Sequence, residues 1–475
     1  MASQRCIRRL ASLSCKETIS SRWRPALLPH SRRVHPTYLT RRSNFTDSVL
    51  GRSIARAIES DGPISLVHYM RQCLTGKEGY YTSSTDPFGQ HGDFVTSPEI
   101  SQIFGDMIGL WIVAEWMAQE ECRGKKVVLV ELGPGRGTLI DDILRITSRF
   151  EYFANKISSI HLVEASQPLR EAQCAKLCGE GLLPQLEEEV WGQTSKYLKI
   201  PVKWYDDVRQ IDLAPDEAPF FIAHEFFDAL PINAFQNTPT GWKELLVDVK
   251  KPTSNIILTK ASRPASTKEE EDPEFCFALA TRQSASARAL NSLSPRYAAL
   301  SRIPNAVVEM SPDSHGIVIH LCQAIHQAEA GGALIMDYGP IDTVPINSLR
   351  GIQKHKRVSP FVQPGLVDIS ADVDFGALVE TALRPDLSVE VHGPTEQGSF
   401  LQHLGIKQRY EQIAGKIEDP EKLAILKSGV ERLTERGGLG MGKIYKALAI
   451  VPEAGGRPVA GFPQDESSIY EEAGV

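Results

Sequence analysis

Apolar positions along the chain recur with two different periods, and the change between them lays out the elements. From Ser48 to Leu74 the spacing is helical, with Ile54, Ile58 and Leu66 facing inward and Gly62-Pro63 dividing the helix. Residues 75 to 99 lose the period and collect Gly, Ser, Thr and Pro, as a long loop does, while their aromatic and acidic content marks a functional loop rather than disorder. Ser97-Pro98-Glu99 reads as the start of the next helix, with Ser97 as N-cap and Pro98 at the first helical position. Ile103, Phe104, Met107, Ile108, Trp111, Ile112 and Trp116 give that helix a wide apolar stripe, so it is expected to be buried.

From residue 127 short apolar runs alternate with amphipathic ones. Val127–Leu132, Ile160–Val163, Val202–Tyr205 and Phe220–Ala223 are predicted strands, with helices from Thr138 to Phe150 and from about Pro168 to Cys178. Residues 240 to 330 are less regular, with a strand over Trp242–Val249, a charged run at Lys268–Glu274 and a helix within Glu309–Ala330. Gly332–Gly339 is another strand edge. A Gly/Pro/Asp-rich stretch follows to Phe375, then two helices from about Asp374 to Glu435, and a last strand over Ile444–Val451. Strands alternating with helices imply an α/β fold with a doubly wound sheet and a ligand site at the carboxyl ends of its strands.

Charge changes this picture at the amino terminus. Arg5, Arg8, Arg9, Lys16, Arg22, Arg24, Arg32, Arg33, Arg41 and Arg42 are set among Ser, Leu and Ala, and Glu17 is the only acid before Asp47. An Arg-rich, Ser-rich, acid-poor leader is the composition of a mitochondrial transit peptide; a disordered basic tail is the alternative. The whole chain carries a net charge of −7, which gives no general attraction for nucleic acid. Its eight cysteines form neither a paired framework nor a zinc pattern, no metal is expected, and no apolar run spans a bilayer.

The chemistry-bearing residues collect at the predicted strand ends. Glu131-Leu132-Gly133-Pro134-Gly135-Arg136-Gly137 follows the first strand, where glycines allow a sharp turn and a close approach of a ligand to the backbone. A dinucleotide-binding loop needs its third glycine one place later, where Thr138 stands, and Glu131 would repel a pyrophosphate. S-adenosylmethionine has no phosphate and carries an ammonium and a sulfonium, so the acid suits it. Glu164 ends the second strand, where a carboxylate can accept the ribose hydroxyls. Asp207 ends the third, in the position of an acid for the adenine amino group, and Asp206 competes for that role. The fourth strand releases His224, Glu225 and Asp228 beside Phe226 and Phe227, the makings of a reaction centre, with a capped helix start as the alternative.

Taken in order, Gly92–Ile100, Glu131–Thr138, His161–Glu164, Ala223–Pro231, Asp337-Tyr338-Gly339 and Asp372–Phe375 resemble the MidA-like mitochondrial complex I assembly-factor protein arginine methyltransferases. The resemblance runs from about residue 50 to 450. It implies a Rossmann-like S-adenosyl-L-methionine-dependent fold and a matrix enzyme that symmetrically dimethylates an arginine on a complex I core subunit near the quinone site. Residue for residue it places Gly133, Gly135, Gly137 and Glu164 at the cofactor, and Glu225 and Asp228 in an acidic motif after a strand. Carboxylates such as Glu225 can hold a guanidinium bidentately and stabilise the charge as a proton leaves. A non-catalytic assembly chaperone keeping a cofactor-shaped cleft is the alternative function. An NAD-dependent oxidoreductase is disfavoured by the glycine spacing.

The expected organisation is a transit peptide over 1–45, a helical extension with its functional loop over 46–120 and a methyltransferase core over 121–240. An irregular insertion and candidate substrate lobe over 241–330, the rest of the sheet with C-terminal helices over 331–452 and a disordered tail over 453–475 complete it.

Overall fold

A computed structural model describes residues 48–82, 96–179, 181, 183–187, 190–250, 274–438 and 440–463. The basic leader, Gly92–Val95 of the loop motif, nearly all of the 268–274 charged run and residues 464–475 lie outside the described residues.

Nine strands form the central sheet: β1 (Lys126–Leu132), β2 (Ile157–Val163), β3 (Gln185–Glu187), β4 (Val190–Thr194), β5 (Pro201–Tyr205), β6 (Glu217–His224), β7 (Gly332–Tyr338), β8 (Val389–Glu396) and β9 (Tyr445–Pro452). Their order is β8-β9-β7-β6-β1-β2-β5-β4-β3. β5, β2, β1, β6 and β7 are parallel, whereas β9 runs antiparallel to both β7 and β8. The chain leaves β1 towards β2 on one side and later returns to β6 on the other, so the order reverses between β1 and β6 and opens a crevice at their carboxyl ends. This is the α/β doubly wound sheet that the alternation predicts.

The continuous apolar reading of β1 follows from having both faces covered. Val127 and Leu129 pack with Trp111, Ile143 and Trp204 on one face, while Val128, Val130 and Leu132 pack with Phe221, Leu321 and Phe375 on the other. Helices α1 (Val49–Asp61), α2 (Leu66–Thr75), α3 (Gln102–Ala118), α4 (Thr138–Thr147), α5 (Gln167–Cys178) and α6 (Pro312–Ala328) are those that bear on the site. α3, α4 and α5 lie against the first face and α6 against the second.

Several expectations need correcting. Ser97 is not the N-cap of one long helix: Thr96 precedes a single turn over Ser97–Ile100, and α3 starts afresh after its own N-cap, Ser101, whose hydroxyl accepts from the Ile103 amide at 3.4 Å. A serine side chain competes for backbone donors and interrupts the helix there. The described residues of 241–330 include regular elements: Gly241–Val249 pairs with Asn233–Thr238, Phe275–Leu279 and Ile64–Ser65, and Val307–Met310 completes an antiparallel sheet backed by α1 and α2. The Gly/Pro/Asp-rich stretch contains a three-stranded sheet of Arg350–Gln353, Lys356–Val358 and Asp368–Ser370. In place of two helices after Asp374 there are four, with β8 inserted after the first. The tail is not disordered from 453 onward. Val459 and Phe462 are buried, and Glu115 receives both Arg457 (2.5 Å) and the Ala460 amide (3.0 Å).

Candidate functional site

The crevice opens into a cavity of about 1290 Å³ lined by Glu131, Gly133, Gly135, Glu164, Asp206, Asp207, Glu225 and Asp228, residues from four separate strand ends. Seven of the eight residues singled out in the sequence therefore line one cavity. The exception, Gly137, stands behind the loop as the N-cap of α4.

The loop after β1 is held by its backbone conformation. Gly133, Gly135 and Gly137 have φ of 65°, 52° and 74°, in the left-handed region that penalises a Cβ. A Cβ at Gly133 would also stand 2.8 Å from the Phe226 ring. Gln173 of α5, which carried no signal in the sequence, ties this loop to the next strand. Its amide nitrogen donates to the Gly135 carbonyl at 2.6 Å and to Glu164 at 3.2 Å, and its oxygen accepts from the Trp204 indole at 2.8 Å. The other Glu164 oxygen takes the Ser166 amide at 2.8 Å.

Asp206 and Asp207 diverge after β5. Asp206 pairs with Arg170, whose guanidinium lies 4.0 Å over the Trp191 ring. Asp207 caps the turn Val208–Gln210, accepting from the Arg209 amide at 2.9 Å, and also pairs with the Arg209 side chain. Both face the cavity.

After β6 the chain turns sharply. Glu225 has φ 50°, held there as its amide donates to the Met336 carbonyl at 3.0 Å. The fully buried Asp337 of β7 then collects the amides of Phe227 (3.0 Å) and Asp228 (3.2 Å), which fixes the turn. The Tyr338 hydroxyl donates to Asp228, and Tyr445 at the start of β9 bonds to Glu225. One oxygen of each acid, Glu225 Oε1 and Asp228 Oδ1, is buried without a partner. His224 Nε2 lies 3.5 Å from Glu225 Oε1, but burial holds its pKa down to about 3, so this is not an ion pair near neutral pH. Tyr338 was legible only as part of Asp337-Tyr338-Gly339, and Tyr445 only as one end of a predicted strand.

Burial raises four of the acids lining this cavity. Glu131 is pushed up to about 8, chiefly by desolvation, and Glu164 to about 7 for the same reason despite its hydrogen bonds. Glu225 rises to about 8 by desolvation and then by the neighbouring Asp228, and Asp228 itself is raised by burial. Carboxylates whose charge is so poorly compensated favour a cation beside them.

The same shifts predict how stability depends on pH. Glu131 and Glu225, each with an ordinary value of 4.5, keep their protons longer when folded, so their contribution is present at low pH and lost as pH rises towards about 8. His161 and His224, lowered to about 3, act in the opposite sense up to their ordinary 6.5. Above about pH 7 the histidines are neutral in both states, so the acids dominate. Differential scanning calorimetry of the protein alone should show a melting temperature that falls between pH 7 and 8.5, with a flatter slope in Glu225→Gln. A slope unchanged by the substitution would show that Glu225 does not titrate there.

A family model described as putative S-adenosyl-L-methionine-dependent methyltransferase matches residues 107–395, more than half of the chain. The chain belongs to this methyltransferase family. It is also 35% identical over 417 residues to the protein arginine methyltransferase NDUFAF7, mitochondrial, of Bos taurus, covering 86% of this chain and 85% of that one. The Rattus norvegicus protein of that name is 37% identical over 423 residues (86% of each chain), and the Drosophila melanogaster homolog 34% over 410 (85% of each). Among solved structures, a candidate methyl transferase from Burkholderia thailandensis bound to S-adenosyl-homocysteine superposes with a TM-score of 0.62 at 22% identity, over 87% of this chain and 93% of that one. That likeness shows a shared fold.

S-adenosyl-L-methionine is accordingly the cofactor of this methyltransferase, and the residues at the crevice fit it. The glycine loop brings backbone to the cavity wall at Gly133 and Gly135. Glu131, 2% exposed, keeps Oε2 without a partner, as an acid awaiting a cationic group would. No helix among the described residues is long and apolar enough to cross a membrane.

Proposed function

We propose that this enzyme methylates an arginine of a protein substrate, with Glu225 and Asp228 receiving the guanidinium. The observation that carries this reading is that both acids leave β6 into the cavity reached by the glycine loop, each with one buried oxygen unpartnered. Two acids with free oxygens suit a planar guanidinium, which presents several donors at once. On the cofactor side, Glu164 would accept the ribose hydroxyls, Asp207 would serve the adenine amino group and Glu131 the α-ammonium, with Gly133, Gly135 and Gly137 shaping the loop.

The cofactor supplies a methyl group already activated on a sulfonium, which leaves positioning and electrostatics to the protein. The guanidinium must give up a proton as it is methylated. Burial makes His224 a weak base and Glu225 a stronger one than usual, so the carboxylates are the better acceptors. Glu225 and Asp228 also aim one nitrogen and offset charge as the methyl group moves.

The relatives' mitochondrial names and the acid-poor leader support action in the mitochondrial matrix. The substrate in this reading is a core subunit of complex I near its quinone site, and the product is symmetric dimethylarginine formed during assembly. Incubating the protein with isotope-labelled methyl donor and purified complex I core subunits, then mapping peptides, tests all of this together. Label is expected on a single arginine as the symmetric dimethyl form. No label on any subunit, with cofactor binding intact, would instead favour a chaperone that keeps its cleft.

A further inference from the structure

Two tyrosines line the cavity beside the acidic pair, and neither belongs to the turn that carries it. Tyr338 ends β7 and Tyr445 begins β9. The antiparallel register of these strands places the two directly opposite each other, with ring centroids 5.6 Å apart and planes at 79°. From that shared position each reaches a different acid. Tyr338 donates its hydroxyl to Asp228 Oδ2, and Tyr445 bonds to Glu225, which also takes the Ser97 amide. The outcome is one occupied and one free oxygen on Asp228, with Glu225 Oε1 free as well. The Arg350 guanidinium lies 4.6 Å over the Tyr338 ring and is anchored to Asp372 at 2.6 Å, so the ring of Tyr338 is held as well as its hydroxyl.

We propose that Tyr338 and Tyr445 are paired positioning residues that leave each carboxylate a single open oxygen, so that an acceptor guanidinium is held through two nitrogens on two different acids. This rests on the guanidinium site proposed above and deepens it into a rule of recognition. A guanidinium has rigidly spread donors that can meet two separate oxygens together. An ammonium is a point charge and cannot span them in the same way. The tyrosines thereby favour arginine over lysine through the acids they hold.

A hydroxyl donated to a carboxylate also stabilises its charged form. That matters here because the acids crowd one another. Asp228 faces Tyr338 and Asp337 of β7, Glu225 of its own turn, Arg350 and Tyr81. Glu225 faces Tyr445, Asp228, Asp337, Glu99 and His224. In that company, losing one donated hydroxyl returns a carboxylate to its protonated form at a higher pH.

The test is calorimetric binding of methylguanidinium to the cofactor-loaded protein from pH 6 to 9, for the wild type, Tyr338→Phe and Tyr445→Phe. Each substitution removes one hydroxyl and keeps the ring. At pH 7 each should weaken methylguanidinium about tenfold, the scale of one hydrogen bond to a charged group. The pH at which binding is half lost should move upward, and methylammonium should lose far less. Melting temperature and cofactor affinity report folding separately. A merely structural role would lower affinity equally at every pH; that result, or no methylguanidinium binding by the wild type, would overturn the proposal. Because no methyl transfer is measured, the labelling experiment decides the arginine reaction independently.

Discussion

Glu225→Gln is expected to slow single-turnover methyl transfer to the arginine substrate by roughly two orders of magnitude or more, the scale seen when one transition-state electrostatic contact is removed. The substitution keeps the shape and a hydrogen-bonding group, so the Tyr445 contact and the turn at φ 50° can persist. What disappears is the charge. Cofactor affinity should be nearly unchanged, because Glu225 sits at the end of β6 while the glycine loop, Glu164 and Asp207 follow β1, β2 and β5. Stability should move the other way. Burial and Asp228 push Glu225 up to about 8, so replacing it by a neutral group removes a cost that grows with pH. A variant that melts higher near pH 8 yet transfers far more slowly carries the signature of an acid kept for function. Asp228→Asn should act in the same direction, more weakly if Asp228 chiefly orients Glu225. Near wild-type transfer by Glu225→Gln at saturating cofactor would exclude the clamp and leave this turn as a structural strand end. Loss of cofactor binding would make Glu225 a cofactor or folding residue.

The parts of this site that could be read from the sequence are those set by local rules. β1 is apolar throughout because helices cover both of its faces, and the three glycines after it are required by three positive φ angles. Glu164, Asp207 and Glu225 could be found because parallel strands deliver their last residues to one edge. What escaped depends on pairing between distant segments. Tyr338 and Tyr445 face each other only through the antiparallel register of β7 and β9, and no periodicity encodes that register. Gln173 looks like an ordinary polar helix residue until α5 folds back and sets it between the glycine loop and Glu164. β8 was hidden for a different reason: its register shifts between His392 and Thr395 around Gly393-Pro394, which breaks the alternation that marks a strand. The packed tail was missed because its polar composition masks two anchors, Val459 and Phe462, and because Glu115 of α3 binds it from far away in the chain.

Gly135→Val should abolish S-adenosyl-L-methionine binding, with at least a hundredfold loss of affinity expected from a side chain placed where the ligand meets backbone. Gly135 lines the cavity, and its φ of 52° is one a β-branched residue adopts only under strain. Valine adds an isopropyl group to the loop and strains the turn by about 1–3 kcal/mol. The turn is anchored from behind by Gln173 on the Gly135 carbonyl and by the Gly133 amide on the Val163 carbonyl at 3.0 Å, so the strain should be local rather than unfold the sheet. Calorimetric titration separates the two effects. A cofactor-site substitution lowers affinity in protein that still melts cooperatively near the wild-type temperature, whereas a folding defect lowers the active fraction and leaves the affinity of the remainder intact. NAD belongs in the same experiment. Thr138 stands where a dinucleotide loop needs its third glycine, and the buried Glu131 lies on the wall that a pyrophosphate would approach. The wild type should therefore bind S-adenosyl-L-methionine and show no heat with NAD. Preferential binding of NAD, or unaltered affinity for the methyl donor in Gly135→Val, would refute the placement of the cofactor against this loop.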